Sequence, residues 1–188
     1  MRRWLLLGVL WLVGCASAPP VVAPARPAEA GMAAFAFNGR VAVRYEGRHT
    51  SAGVRWTHSR LKDEIALMNP LGQTAALIRS DAQGVVLDTA DRHYAAADAE
   101  SLTQSVLGWP LPLAGLHHWI LALPAPHGEP AELTRNEAGQ VTVLRQDGWV
   151  IRYNRYTSAE PDALPVRIVL ERGAQFLIQV VIDEWEIQ

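Results

Sequence analysis

The first half of the chain alternates between apolar and polar positions. From Phe35 onward, every second residue is mostly apolar, with polar residues such as Asn38 and Arg44 between them. This period of two places apolar side chains on one face of an extended strand and polar side chains on the other. Strands are predicted at residues 35–45, 51–57, 61–67, 74–79 and 85–89. Short turns separate these strands, which predicts a meander of antiparallel hairpins.

The middle of the chain changes to a helical pattern. A helix is predicted from Asp98 to about Leu107, because Asp98 can cap its first turn and a glycine and a proline follow its end. A second helix is predicted over residues 112–123. Its apolar stripe includes Leu116 and Ile120, and Pro124 follows it.

The second half returns to the two-residue period. Strands are predicted from Val141 to a turn at residues 146–148, and then at residues 149–154, 166–170 and 176–182. The order is therefore strands, two helices and strands again. This order is typical of a mainly β, α+β fold in which helices lie on one side of an antiparallel sheet.

The start of the chain has a different composition. Two arginines precede an apolar run at residues 4–13, which is half the ~20 residues that a membrane-spanning helix needs. A basic start, a short apolar run and small residues after it are typical of a secretory signal peptide, predicted here at residues 1–14. The sequence Leu-Val-Gly-Cys at residues 12–15 resembles the bacterial lipobox.

Cys15 is the only cysteine of the chain, so it has no disulfide partner within it. The lipobox resemblance implies cleavage before Cys15, followed by attachment of diacylglycerol to its sulfur and a fatty acyl group to its new amino terminus. The alternative is a cysteine that lies by chance near an ordinary cleavage site. Two or more acyl chains anchor a protein lastingly in a membrane. Ala16 stands where the known inner-membrane retention signal usually has Asp, which favours the outer membrane.

Residues 15–33 are predicted to be the lipidated cysteine and a tether, and residues 34–188 the globular body. The tether is rich in Pro and Ala, which favours an extended spacer over a packed element. The ordinary hydrophobic content of the remainder predicts no further membrane span.

Charge excludes one class of partner. The formal net charge is −2, and removal of residues 1–14 leaves 15 basic against 19 acidic residues, a net charge of −4. Lys62 is the only lysine, and no run of basic residues occurs. A nucleic-acid partner would require a clustered basic face, so none is predicted.

Catalytic and metal-binding motifs were sought without success. The chain has no H-E-x-x-H pair, no G-x-S-x-G elbow and no phosphate-binding loop of the G-x-x-x-x-G-K-[ST] type. We therefore predict no enzyme activity, no metal ion and no cofactor other than the covalent lipid on Cys15.

The loop Asn69-Pro70-Leu71-Gly72 between two predicted strands carries an unusual leucine. Asn-Pro interrupts the strand and Gly72 permits a tight turn, so Leu71 lies at the tip, where a polar residue is expected. The strand pattern alone favours a Leu71 that folds back onto the edge of the sheet. The alternative is an exposed leucine that enters an apolar partner such as a bilayer.

Several motifs in one order resemble the LolB family of outer-membrane lipoprotein receptors, over residues 35–188. After the lipobox these are NPLGQT at 69–74, YAAADAE at 94–100, LGWPLP at 107–112, WILALP at 119–124, QDGW at 146–149 and LP at 164–165. Family members usually carry a further helix between the cysteine and the first strand, whereas this chain has the Pro/Ala-rich segment there.

The resemblance implies an incomplete antiparallel β-barrel, meaning a strongly curved sheet, covered by helices and enclosing an apolar cavity. Pro70, Leu71 and Gly72 would form a membrane-insertion loop. Candidates to line an acyl-chain cavity, chosen by face and position, are Val43, Trp56, Ile65, Leu67, Leu116, Ile120, Ile151 and Ile168. The strand pattern leaves open a core that is simply filled by its own side chains.

The function implied by the resemblance is transfer without ATP. A monomeric receptor, anchored in the outer membrane and facing the periplasm, would accept acylated lipoproteins from a LolA-type periplasmic carrier and insert them into the inner leaflet. The main alternative is a non-catalytic scaffold lipoprotein that tethers partners to the outer membrane. A lipid-processing enzyme is a third possibility, and it would need a clustered polar site.

Overall fold

The computed structural model describes residues 34–60 and 62–187. The predicted signal peptide, Cys15 and the tether up to residue 33 lie outside these described residues. The strands within them are β1 (Phe35–Tyr45), β2 (Arg48–Ser59), β3 (Lys62–Met68), β4 (Thr74–Asp81), β5 (Gly84–Thr89), β6 (His93–Ala96), β7 (Glu132–Arg135), β8 (Val141–Gln146), β9 (Trp149–Tyr156), β10 (Pro165–Arg172) and β11 (Phe176–Ile187). The helices are α1 (Ala99–Leu107) and α2 (Leu113–Trp119).

All eleven strands belong to one antiparallel sheet with the order β6-β5-β4-β3-β2-β1-β11-β10-β9-β8-β7. Strands that follow each other in the chain pair side by side, except for β6 and β7, which form the two edges of the sheet. The first and last strands, β1 and β11, also pair with each other. The two edges do not pair with each other, so the sheet does not close into a barrel. The predicted fold class, an open antiparallel sheet with covering helices, is confirmed.

One glycine allows β1 and β11 to approach closely in the middle of the sheet. The register between these strands shifts between Asn38 and Gly39, which marks a bulge in the pairing. A Cβ atom on Gly39 would lie 2.2 Å from the carbonyl oxygen of Val181, so no other residue fits without movement of the backbone. Bulges bend strands and increase their twist, which helps to curve the sheet.

Helix α1 begins and ends as predicted. The Asp98 side chain accepts a hydrogen bond from the Ser101 N–H at 2.8 Å and so caps the first turn. Gly108 follows the last turn with a φ of 84°, a left-handed conformation that glycine adopts at low cost.

Helix α2 is shorter than the predicted second helix, which extended to Leu123. It ends at Trp119 because Ala122 adopts a φ of 57°. The N–H groups of Leu121 and Leu123 both donate to the carbonyl oxygen of His118, at 3.0 and 3.2 Å, and this turns the chain away from the helix axis. The prediction of a helix over residues 112–123 was therefore wrong at its end.

Two short strands were not predicted. β6 and β7 each contain four residues and pair on one side only, as the two edges of the sheet. Four residues are too few for a period of two to be distinguished from a loop.

Candidate functional site

A small void lies between the inner face of the sheet and the segment that contains both helices. Its volume is about 40 Å³. Every residue that lines it is apolar: Phe37, Val41, Val54, Trp56, Ile65, Leu67, Ile78, Trp109, Leu111, Leu116, Ile120, Ile178 and Val180. The strands contribute alternate residues, because a period of two directs them all to the inner face.

The wall opposite the sheet comes from residues 99–123, which we call the cover. Its linker between the helices is fixed by Thr103, a fully buried residue of α1. The Thr103 hydroxyl donates to the Ala99 carbonyl at 2.7 Å and accepts from the Leu111 N–H at 2.8 Å. This pair of hydrogen bonds holds Leu111, and with it Trp109, against the void.

The far end of the cover is bound to the second half of the sheet through Gln146. The side-chain oxygen Oε1 of Gln146 accepts from the Trp119 indole N–H at 2.9 Å and from the Ala125 N–H at 2.8 Å. Its amide nitrogen donates to the carbonyls of Ala125 and Gly128 at 2.9 and 2.8 Å. The Tyr153 hydroxyl donates to the Trp119 carbonyl at 2.8 Å. Polar bonds therefore fix this end of the cover.

The structure brings together five of the predicted cavity residues around the void, namely Trp56, Ile65, Leu67, Leu116 and Ile120. The other three are buried away from it. Val43 lies on the inner face of β1, while Ile151 and Ile168 lie in the second half of the sheet, at 0% and 1% exposure. The contact of any of the eight with an acyl chain remains a prediction.

Sequence reasoning missed several residues that line the void. Phe37, Val54 and Ile78 lie on the same alternating faces as the predicted set, so strand periodicity could have found them. Trp109 and Leu111 lie in the linker between the helices, where no periodicity exists. Their position follows only from tertiary contacts.

The void approaches solvent on one side. Of its lining residues, only Val41 and Leu67 are partly exposed, and the others are buried. Leu67 lies near the end of β3, just before the loop Asn69-Pro70-Leu71-Gly72. The partly exposed side of the void therefore includes Leu67, which lies two residues before the loop that carries Leu71.

That loop is held in shape by Asn69. Its side-chain oxygen accepts hydrogen bonds from the N–H groups of Leu71 and Gln73, both at 3.0 Å. Gly72 has a φ of 80° and donates its N–H to the Asn69 carbonyl at 2.9 Å. Leu71 is 84% exposed at the tip. The expectation from the strand pattern, that Leu71 folds back onto the sheet, was wrong, because Asn69 stabilises a turn that directs it outward.

A row of histidines packs α2 against the sheet. The rings of His58 and His117 stack with centroids 5.2 Å apart, and the His118 ring lies 4.3 Å from that of His117. His58 Nδ1 lies 2.8 Å from a carboxylate oxygen of Asp63. Burial lowers the pKa of His117, and burial together with His117 lowers the pKa of His118 to about 4. His117 and His118 are therefore neutral at neutral pH.

The described residues offer neither a metal site nor a membrane-spanning helix. No group of three or more His, Cys, Asp or Glu residues in residues 34–60 and 62–187 could hold a metal ion. In the same part of the chain, no helix has the length and apolar character needed to span a membrane.

Comparison with known proteins gives a family. A family model described as outer membrane lipoprotein LolB matches residues 33–185. The outer-membrane lipoprotein LolB of Chromobacterium violaceum is 37% identical over 189 residues, which cover 99% of each chain. That of Nitrosomonas europaea is 35% identical, over 98% of this chain and 92% of its own.

The fold has a relative among solved structures. A LolA superfamily protein from Nitrosomonas europaea matches with a TM-score of 0.50 and 10% identity, over 82% of this chain and 86% of its own. At this identity the match supports the fold alone. The family model and the near full-length relatives show more: the chain belongs to the outer-membrane lipoprotein LolB family, and its function lies in lipoprotein localisation at the outer membrane.

Proposed function

We propose that this protein is a receptor, anchored in the outer membrane through acylated Cys15 and facing the periplasm. It accepts acylated lipoproteins from a LolA-type periplasmic carrier and releases their acyl chains into the inner leaflet. One observation carries the proposal: a leucine that is 84% exposed lies on a hydrogen-bonded loop next to the partly exposed side of an entirely apolar void.

The void suits acyl chains chemically. Transfer of an acyl chain from water contributes about 0.8 kcal/mol for each buried CH₂ group and needs no ionic partner. At about 40 Å³, however, the void has the volume of only a few water molecules. An acyl chain must therefore displace part of the cover, and α1 would move together with Trp109 and Leu111, because Thr103 bonds the linker to α1.

Leu71 supplies the step at the membrane. Transfer of an exposed leucine side chain from water into an apolar phase is favourable by about 1.5–3 kcal/mol of free energy. Because Asn69 holds the turn open, this gain is available to a bilayer and not to the core of the protein. Entry of Leu71 would bring the open side of the void to the membrane surface.

The test separates capture of cargo from its insertion. Carrier loaded with a triacylated lipoprotein is mixed first with the soluble body and then with vesicles, and the location of the cargo is followed. We expect Leu71→Glu to receive cargo normally but to lose at least tenfold in insertion. The free energy of unfolding should change by less than about 0.5 kcal/mol, because the substitution is at an exposed loop tip.

Thr74→Glu is the matched control, because it adds the same charge at a nearby exposed position at the start of β4. It should insert cargo like the unaltered protein. Normal insertion by Leu71→Glu would contradict the role of the loop. Failure of a folded body to receive any cargo would contradict the receptor and favour the scaffold function. Mass spectrometry of the mature protein tests the lipid on Cys15.

A further inference from the structure

The outer face of the sheet has a groove across β2, β1 and β11. Two adjoining hollows of about 310 and 260 Å³ share Ala42, Ser51 and Gln179 as common walls. Small side chains on β1 and β2 leave this space between larger neighbours. We call it the outer groove and define it by Arg40, Arg44, His49, Ser51, Pro70 and Gln179.

The outer groove carries positive charge that the protein leaves without a partner. Arg44 and His49 lie directly opposite each other on β1 and β2, and both are exposed. Among the described residues neither forms an ion pair, whereas Arg40 pairs with Asp183 at 2.8 Å. Arg44 is a permanent cation and the His49 ring can donate a hydrogen bond beside it, so an anion between them would contact both side chains.

No carboxylate lines either hollow, although the chain as a whole has a net charge of −2. The groove also offers neutral donors, because the Ser51 hydroxyl and the Gln179 amide lie on its walls. A guanidinium and an imidazole, with hydroxyl and amide donors nearby, suit a phosphate group.

The position of the outer groove indicates the source of the phosphate. The groove ends at Pro70, the residue before Leu71. If Leu71 enters the bilayer, as proposed above, Pro70 lies at the level of the lipid headgroups. Every phospholipid carries a phosphate at that depth, but only in an anionic phospholipid such as phosphatidylglycerol is its charge not offset by a cation on the same headgroup. We propose that the outer groove binds this headgroup phosphate between Arg44 and His49. The inference rests on the proposed function of Leu71.

Vesicle flotation tests the proposal. The mature chain carries Cys15→Ala, so that no acyl group of its own binds the vesicle. It is mixed with vesicles of phosphatidylcholine alone or with added phosphatidylglycerol. We expect a preference for the anionic vesicles that falls about five- to tenfold in the double variant Arg44→Gln, His49→Gln, since the one permanent cation, Arg44, contributes roughly fivefold at such a surface and the His49 hydrogen bond adds to it. Binding to phosphatidylcholine should not change.

The chain offers a matched control. Arg155 and Arg167 are also exposed, lie opposite each other on β9 and β10, and line neither hollow. The double variant Arg155→Gln, Arg167→Gln should keep the preference for anionic vesicles. An equal loss in both double variants would mean general attraction of cations and would overturn the proposal. An unchanged preference after Arg44→Gln, His49→Gln would overturn it as well.

Two further measurements keep this result separate from the function of the loop. Leu71→Glu should weaken binding to both kinds of vesicle; normal binding would contradict the insertion loop but not the headgroup site. Monomeric short-chain phosphatidylglycerol should shift the amide resonances of Ser51 and Gln179 in the nuclear magnetic resonance spectrum. Shifts caused by inorganic phosphate, without a preference for anionic vesicles, would show a phosphate site unrelated to the membrane and would overturn the proposal.

Discussion

Strands β1–β5 and strands β8–β10 carry the same alternation of apolar and polar residues, yet they bury their inner faces differently. Over β1–β4 the cover leaves a void, which Trp56, Ile65 and Ile78 border. In β8–β10, Leu144, Ile151 and Ile168 are at most 1% exposed and line none of it. The same local pattern therefore borders a void in one half and lines none of it in the other.

The polar bonds follow the same division. Gln146 and Tyr153 bind the end of α2 to β8 and β9. Within the described residues, no side-chain hydrogen bond joins α1 or residues 108–112 to strands β1–β6. The α2 end of the cover is thus fixed by directional bonds, whereas among the described residues no such side-chain bond fixes α1 and residues 108–112 to these strands. Apolar contacts can rearrange around an acyl chain without leaving polar groups unpaired.

The largest effect on stability is expected from a substitution of Gln146, at the fixed end of the cover. Gln146→Leu leaves the Trp119 indole N–H and the Ala125 N–H buried without acceptors, and each such group costs about 1–3 kcal/mol. We expect a loss of about 4 kcal/mol in the free energy of unfolding, measured by urea denaturation. Gln175→Leu, in an exposed turn, should cost less than about 0.5 kcal/mol. Similar stabilities for the two variants would show that the Gln146 hydrogen bonds do not hold this end of the cover.

Truncation of a core isoleucine should distinguish the halves. Ile151→Ala creates a cavity in a filled region and should cost about 3–4 kcal/mol, whereas Ile65→Ala enlarges an existing void and should cost about 2 kcal/mol. The reason is that Ile65 already lacks neighbours on one side. Denaturant unfolding of both variants measures the difference. An equal or larger loss for Ile65→Ala would mean that both halves are packed alike.

The histidines between α2 and the sheet should make stability depend on pH. The folded pKa of His118 is about 4 against an ordinary 6.5, and that of His117 is lowered too, so the unfolded chain binds protons that the folded chain excludes. Stability should therefore fall as the pH drops from about 6.5 to about 4, by about 1–2 kcal/mol after solvent screening. Unfolding of the protein and of His118→Leu, followed across this range, measures the effect. A pH dependence unchanged by His118→Leu would assign it to other groups.

The smallest effect on stability is expected from filling the void. Val41→Phe places a larger apolar side chain at its partly exposed side and should change stability by less than about 1 kcal/mol. Binding of a fluorescent fatty acid should nevertheless fall about tenfold, because the entrance is blocked. Val169→Phe, on the outer face of β10, is the control and should bind normally. Equal binding by both variants would place the acyl site elsewhere.

Much of this architecture was predictable because it depends on near neighbours in the chain. Alternation located the long strands, and the Asp98 cap located α1. Asn-Pro followed by glycine located the loop of Leu71. The short edge strands β6 and β7 could not be found, because four residues carry no distinct period. The end of α2 was also missed, because the left-handed turn at Ala122 has no glycine to mark it.

The sequence by itself determined which faces are apolar, where most strands lie and, through its ordered motifs, the family. Only the tertiary structure decided that β1 pairs with β11, that Leu71 is exposed, and that space remains beside Trp56 and Ile65 but not beside Ile151. The physical reason is that a period of two reports which side of a strand avoids water. It carries no information about the partner that covers that side, because the partner comes from residues distant in the chain.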